Sequence, residues 1–198
     1  MKHAEKKKIK ISSILLFLLI IIAIVLIVII AIRYSERNEN EKAVKEVVAQ
    51  IENIQPTDTE QDIQYIEYEG YQVIGTIRIS KIDIEYPILA ESTPESLEKS
   101  ITRVGDGIVN GEGNLTLSGH NYIDGSMFGK LDELENGDEI SITDLYGNEV
   151  TYVVFDKYVT DPNDVSVLES VEEGKKEITL ITCTNGNKNR LIIKAREV

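Results

Sequence analysis

Residues 11–32 are apolar at every position except Ser12 and Ser13. A helix of that length, at ~1.5 Å per residue, would reach roughly 33 Å, enough for a hydrocarbon core of about 30 Å. A cleaved export signal has an apolar core of only about 7–15 residues and ends in small residues at its cleavage site. Here the run ends on Ala31-Ile32 and meets Arg33-Tyr34 with no A-x-A pattern, so an uncleaved signal anchor is expected. Lys2, Lys6, Lys7, Lys8 and Lys10 crowd its N-terminal side. The positive-inside tendency then puts the N-terminus in the cytoplasm and the remainder outside the cell membrane, with the lipid bilayer as a partner through residues 11–32.

Charge separates the two sides further. Six of the 21 Lys and Arg residues fall within residues 1–33, but only one of the 34 Asp and Glu residues, Glu5, does. The part beyond the span is therefore strongly acidic. It lacks the basic footprint that nucleic acid requires, and anionic lipid would repel it. One cysteine in the chain allows no intramolecular disulfide, so stability has to come from a packed core.

Four regions are expected: a cytoplasmic basic tail (1–10), the transmembrane anchor (11–32), a stalk helix and linker (33–70), and a catalytic-size domain (71–198). In the stalk, Val44, Val47, Val48 and Ile51 recur at i, i+3, i+4 and i+7, a narrow apolar stripe. It suits self-association or packing on the domain; a solvated stalk is the plainer expectation. Residues 53–69 are acidic, rich in Gln and Thr and without periodicity, which reads as a linker.

From Val73 the pattern turns to β. Val73-Ile74-Gly75-Thr76-Ile77-Arg78-Ile79 alternates, and Ile82-Asp83-Ile84-Glu85-Tyr86 follows with Ile88-Leu89 after Pro87. Thr93-Pro94-Glu95 opens a short helix with a cap, a first-turn proline and an acid near the positive dipole end. Residues 104–113 form a glycine-rich loop ahead of the strand that reaches His120. Residues 121–129 are loop, and Met127, Phe128, Leu131 and Leu134 predict a short helix with an apolar face. Strands over 138–142 and 150–155 flank Tyr146-Gly147-Asn148, a hairpin signal. Asp161-Pro162-Asn163-Asp164 breaks the chain into a loop with a helical turn. About eight short strands with short helices make an all-β barrel or sandwich.

The last two strands carry the chemistry. Glu177-Ile178-Thr179-Leu180-Ile181-Thr182-Cys183 and Leu191-Ile192-Ile193-Lys194-Ala195 flank a polar turn, and Arg190 opens the second run. Paired as neighbours, they bring Cys183 and Arg190 to one end of a sheet. Taken alone, an unpaired cysteine beside a β-branched run is most simply a small core hydrophobe, His120 a loop histidine, and Arg190 a surface charge. However, His3 lies in the basic tail, so the rest of the chain holds one thiol and one imidazole. A lone Cys with a His elsewhere in the sequence is the pattern of a thiol nucleophile with an acid/base partner.

Thr179-Leu180-Ile181-Thr182-Cys183 resembles the TLxTC signature of sortases. Leu117-Ser118-Gly119-His120 resembles their strand-to-histidine motif, and Arg190 follows the cysteine at the family's short distance. The resemblance runs from about Val73 to Val198. It implies a closed sortase-type β-barrel with His120, Cys183 and Arg190 meeting at one rim. It also implies transpeptidation: cleavage of an LPxTG-like sorting signal between Thr and Gly, a thioacyl enzyme, and transfer to a cell-wall amine or a pilin. The implied partners are surface proteins with a C-terminal sorting signal and a cell-wall precursor amine. Specificity is implied to reside largely in the loop at about 160–176. The subclass stays between class A/D-like and clostridial class B-like.

In that scheme Cys183 attacks as thiolate, His120 moves protons, and Arg190 stabilises the oxyanion or clamps a substrate carbonyl. Thr182, Ser118 and Asn121 are candidate substrate-binding or His-orienting residues. No cofactor and no required metal are expected: one Cys and one His cannot form a zinc cage without several carboxylates, and the loop before the His strand offers only Asp106 and Glu112. Two rival readings remain, the first of which uses the same residues. One is a cysteine peptidase with water as acceptor; the other is a non-catalytic tethered β-barrel binding module.

Overall fold

The computed structural model describes residues 2–54, 66–169, 172 and 174–198. The chain divides into two units, Met1–Ala43 and Val44–Val198. The first is helical in its described residues and forms most of α1 (Lys2–Glu52). Within it, Ser13–Ile32 is long and apolar enough to cross a membrane, and none of it is buried within the protein. A helix that is apolar all round and covered by nothing of its own chain is compatible with a single-pass anchor.

The second unit begins with the last turns of α1. There Val44, Val47, Val48 and Ile51 are all buried, Ile51 completely. The stripe is thus packed and not solvated, because its apolar positions all fall on one helical face. Glu52 beyond it lies 3.7 Å from Arg78. Of the expected linker, residues 55–65 lie outside the described residues. Ile66 and Tyr68, which follow, are already buried. They belong to the approach to a tight hairpin between β1 (Glu67–Tyr68) and β2 (Tyr71–Ile79).

The remaining strands are β3 (Ile84–Leu89), β4 (Ile101–Val104), β5 (Gly113–Ser118), β6 (Glu139–Asp144), β7 (Glu149–Thr160), β8 (Lys176–Thr184) and β9 (Asn189–Glu197). They follow the order β2-β3-β4-β5-β8-β9-β7-β6, and β6 pairs back onto β2. Eight strands therefore close a barrel, and β1 is an appendage to β2. Closure leaves the eight strands no long free edge. It demands close approach at Gly75, where a Cβ would stand 2.5 Å from the Thr143 carbonyl oxygen; a side chain there would hold β2 and β6 apart.

Most pairs are antiparallel, but β3–β4 and β5–β8 are parallel. The first crossover is made by α2 (Pro94–Leu97), with Thr93 and Ser96 forming a capping box. The second encloses the β6–β7 hairpin. The core is built from alternate residues, among them Ile77, Leu117, Leu180 and Ile193, with Tyr152 and Phe128. Each such side chain contributes roughly 1.5–3 kcal/mol by burial. Two local expectations change. Ile101–Val104 is a strand, and the apolar run at 127–134 forms only a 3₁₀ turn, Leu131–Glu133, although all four apolar residues are buried.

Candidate active site

The β8–β9 hairpin pairs Cys183 directly with Arg190. Its turn needs Asn185, Gly186 and Asn187 all at positive φ (51°, 63° and 70°), a conformation that asparagine and glycine accept more readily than other residues. On the other side of β8, the parallel register with β5 runs to Ser118 opposite Ile181. Continued by two residues, it brings His120 level with Cys183. Cys183 and Arg190 thus lie on one line across β8 and β9, and β5 ends two residues before His120 on the Cys183 side of that line. Residues in register project to the same face of a sheet.

That face is the outside of the barrel. Ile178 and Leu180 of β8, and Leu191 and Ile193 of β9, belong to the core, so Cys183 and Arg190 alternate outward from them. Both are half-buried, as is His120. The cysteine is therefore not a core hydrophobe.

Hydrogen bonds hold the His120 backbone on three sides. Gly119 N–H donates to the Ile181 carbonyl at 3.2 Å, and Thr182 Oγ1 donates to the Gly119 carbonyl at 2.7 Å. Phe128 N–H donates to the His120 carbonyl at 3.0 Å. Asn121 Nδ2 donates to the Cys183 carbonyl at 2.8 Å. The 121–129 loop is closed further by Ser126 on Asp124 Oδ1, through both its amide and its hydroxyl. Gly119 has its own reason: a Cβ would lie 2.8 Å from the ring of Phe128, which is fully buried. The ring of His120 stacks at a tilt on Tyr122, centroids 5.2 Å apart. Burial, with Glu98 and Asp124 nearby, pushes the Tyr122 phenol up from its ordinary value.

Arg190 Nη1 donates to the carbonyls of Asn187 (3.3 Å) and Asn189 (3.1 Å). These bonds fold the guanidinium back along its own turn, at the Cys183 end of the hairpin. The other candidates divide between the two faces. Ser118 is half-buried, two residues before His120 on the outer face. Asn121 is exposed, and its amide is engaged with the Cys183 carbonyl. Thr182 is 2% exposed and points inward, so its hydroxyl serves the Gly119 carbonyl. Among the described residues, no group of three or more His, Cys, Asp or Glu is placed to hold a metal ion; Asp106 and Glu112 are exposed loop residues.

A parallel β5–β8 pair beside an antiparallel β8–β9 pair, with Cys183 opposite Arg190 and a histidine just past the end of β5, is a specific architecture. The sortase domain family model matches residues 77–198. The chain belongs to the sortase family. It is 38% identical over 119 residues to sortase A of Bacillus anthracis, covering 60% of this chain and 55% of that one. It is 33% identical over 116 residues to sortase D of Bacillus subtilis, covering 58% and 56%. The chain thus aligns with about half the length of these curated relatives. In solved structures, the Clostridium perfringens sortase D5 transpeptidase superposes with a TM-score of 0.65 at 31% identity. That match covers 80% of this chain and 98% of the other. The closed eight-stranded barrel is the architecture of this family.

Proposed function

We propose that this sortase is a membrane-anchored cysteine transpeptidase. In this reading the Cys183 thiolate attacks the Thr–Gly carbonyl of an LPxTG-like sorting signal, and the new C–S bond forms as the carbonyl π electrons move onto oxygen. Collapse of the tetrahedral intermediate expels the glycine amine, which takes a proton from His120. An acceptor amine of a cell-wall precursor then attacks the thioester, gives up a proton to His120 and releases Cys183. Arg190 faces the developing oxyanion or the substrate carbonyl with its fork of donors.

The observation that carries this reading is the Cys183–Arg190 pair on neighbouring strands, flanked by β5, which ends two residues before His120. Asn121 and Thr182 act in it as positioning residues: each fastens the His120 loop to β8. Ser118 lines the outer face two residues before His120 and is left for the substrate backbone. The apolar Ser13–Ile32 helix anchors the enzyme, and the lysines before it favour a cytoplasmic N-terminus with the barrel outside. Substrates are then surface proteins that carry a sorting signal.

The test uses the full chain in detergent micelles with a library of sorting-signal peptides. A thioacyl adduct on Cys183, seen by mass spectrometry and absent in Cys183→Ala, is the expected result. Adding oligoglycine or a diaminopimelate-type amine should convert the adduct to an amide. Release of free acid only, whatever the amine, would replace transpeptidation by hydrolysis. A Cys183 inert to thiol reagents would leave a binding module.

A further inference from the structure

The connection from β7 to β8 starts at the reactive row. Thr160, the last residue of β7, pairs with Arg190 of β9, so the loop leaves the barrel one strand beyond Arg190. It is stiffened at once: Thr160 Oγ1 donates to Asp164 Oδ2 at 2.6 Å, and the amide and hydroxyl of Ser166 both donate to Asp164 Oδ1. It then runs into the 3₁₀ turn Val165–Leu168, where Val167 is buried (5% exposed).

At Val167 and Glu169 the loop meets two side chains from different strands. Lys194 of β9 is only 6% exposed, and its Nζ donates to the Glu169 carbonyl at 3.0 Å. Asn114 of β5 donates from Nδ2 to the carbonyls of Val167 (3.0 Å) and Glu169 (3.3 Å). Its Oδ1 accepts from Thr179 Oγ1 of β8 at 2.9 Å, which fixes the amide's orientation. Lys194 stands four residues from Arg190, and Asn114 six from His120. Both are on the outer face by strand alternation. At ~3.3 Å per residue the Lys194 contact is roughly 13 Å from the row of Cys183.

A lysine buried on a strand costs desolvation unless its charge is used. Here the ammonium is directed at a loop carbonyl, with Glu177 and Asp156 near enough to favour its charged form, although burial still pulls its pKa below the ordinary value. We propose that Asn114 and Lys194 are positioning residues that clamp the 161–169 loop against the outer face of β5, β8 and β9, and so set which peptides can reach Cys183. The loop is held at the reactive row by Thr160 and at the clamp by the carbonyls of Val167 and Glu169. With both points fixed, the exposed side chains between them, Val165 and Leu168, are held in a defined position on the loop that leaves the reactive row. The inference rests on the transpeptidase reading for its substrate class, not for the clamp.

The test uses full-chain Lys194→Met, which keeps the aliphatic stem and loses the donor, and Asn114→Asp, which keeps the acceptor for Thr179 and loses the amide donor. Two measurements are compared with wild type: hydrogen exchange of amides in 161–169, and the ratio of kcat/KM values for two sorting peptides that differ at one side chain. The rate of Cys183 alkylation by iodoacetamide serves as the control for an intact reactive row. Expected are faster exchange in the loop for both variants, by roughly 2- to 10-fold, and a shift in the peptide ratio of similar size, with alkylation unchanged. Lys194→Arg should restore both. Unchanged loop exchange, or faster exchange with an unchanged ratio, would overturn the proposal. A wild-type enzyme that accepts no sorting peptide would instead sink the transpeptidase reading, and the clamp would be decided by exchange alone.

Discussion

Asn121 Nδ2 donates a 2.8 Å hydrogen bond to the carbonyl of Cys183, so the residue after the imidazole is fastened to the backbone of the residue that bears the thiol. The β5–β8 ladder ends at Ser118 and Ile181. Beyond it, side-chain bonds replace backbone pairing. Thr182 on Gly119 and Asn121 on Cys183 together tie the His120 loop to the end of β8.

Removing that bond should affect catalysis more than folding. Asn121 is exposed, so Asn121→Ala leaves no cavity and costs about 1 kcal/mol or less in stability. Proton transfer between imidazole and thiol depends on their mutual placement, where a small misalignment carries a large penalty. We expect kcat to fall about tenfold or more with KM little changed, measured by steady-state peptide turnover. A rise in KM at constant kcat would make Asn121 a substrate contact instead.

Gly119→Ala tests the other support of the loop. The added Cβ would meet the Phe128 ring at 2.8 Å and Ile101 Cγ1 at 3.3 Å, in a core where neither can retreat. Overpacking of this kind costs roughly 1–3 kcal/mol. The strain falls on the residue before His120, so thermal stability and turnover should both drop. Phe128→Leu in the same chain should recover part of the stability by vacating the ring edge. Additive losses in the double variant would show that ring and glycine do not interact.

Much of the fold is legible in the sequence. The period-2 alternation of Val73-Ile79 and of the two C-terminal runs encodes which side chains enter the barrel. The short turn between those runs leaves little freedom for the register of Cys183 and Arg190. Other features depend on contacts distant in sequence. Ile101–Val104 is too short to announce itself, and its parallel partner in β3 lies across the α2 crossover. Val44, Val47, Val48 and Ile51 were visible as a stripe, but a stripe does not say whether protein or water covers it. Asn114 and Lys194 look like solvated strand residues until the path of the 161–169 loop supplies the carbonyls they hold.

The barrel should have an alkaline limit set in part by Tyr68. Burial, with Glu69 and Tyr86 adding negative potential, pushes its phenol up to about 12, against about 10 in an unfolded chain. The folded state therefore holds the proton more tightly. The stabilisation is complete below pH ~10 and is lost as pH rises toward 12, with a magnitude of roughly 2–3 kcal/mol. Tyr68→Phe has no proton to lose, so its stability measured by urea unfolding should decline less between about pH 10 and about pH 12 than that of wild type. Parallel declines would place the alkaline limit elsewhere, Tyr152 being another phenol that burial raises.

Arg190 separates the two tasks that its place opposite Cys183 allows. Its Nη1 bonds to the Asn187 and Asn189 carbonyls hold one arm of the guanidinium to the turn, and in the proposed mechanism the other arm faces the substrate. Lysine keeps the charge but concentrates it at a single point, so it cannot anchor to the turn and reach the substrate together. If the arginine faces the oxyanion, Arg190→Lys should lower kcat by about 10²-fold or more with KM nearly constant, because that charge exists only in the transition state. If it clamps a ground-state carbonyl, the loss should appear in KM. Single-turnover acylation, followed as the thioacyl adduct on Cys183, distinguishes them: an unchanged acylation rate at saturating peptide would remove Arg190 from oxyanion stabilisation and leave it a binding residue.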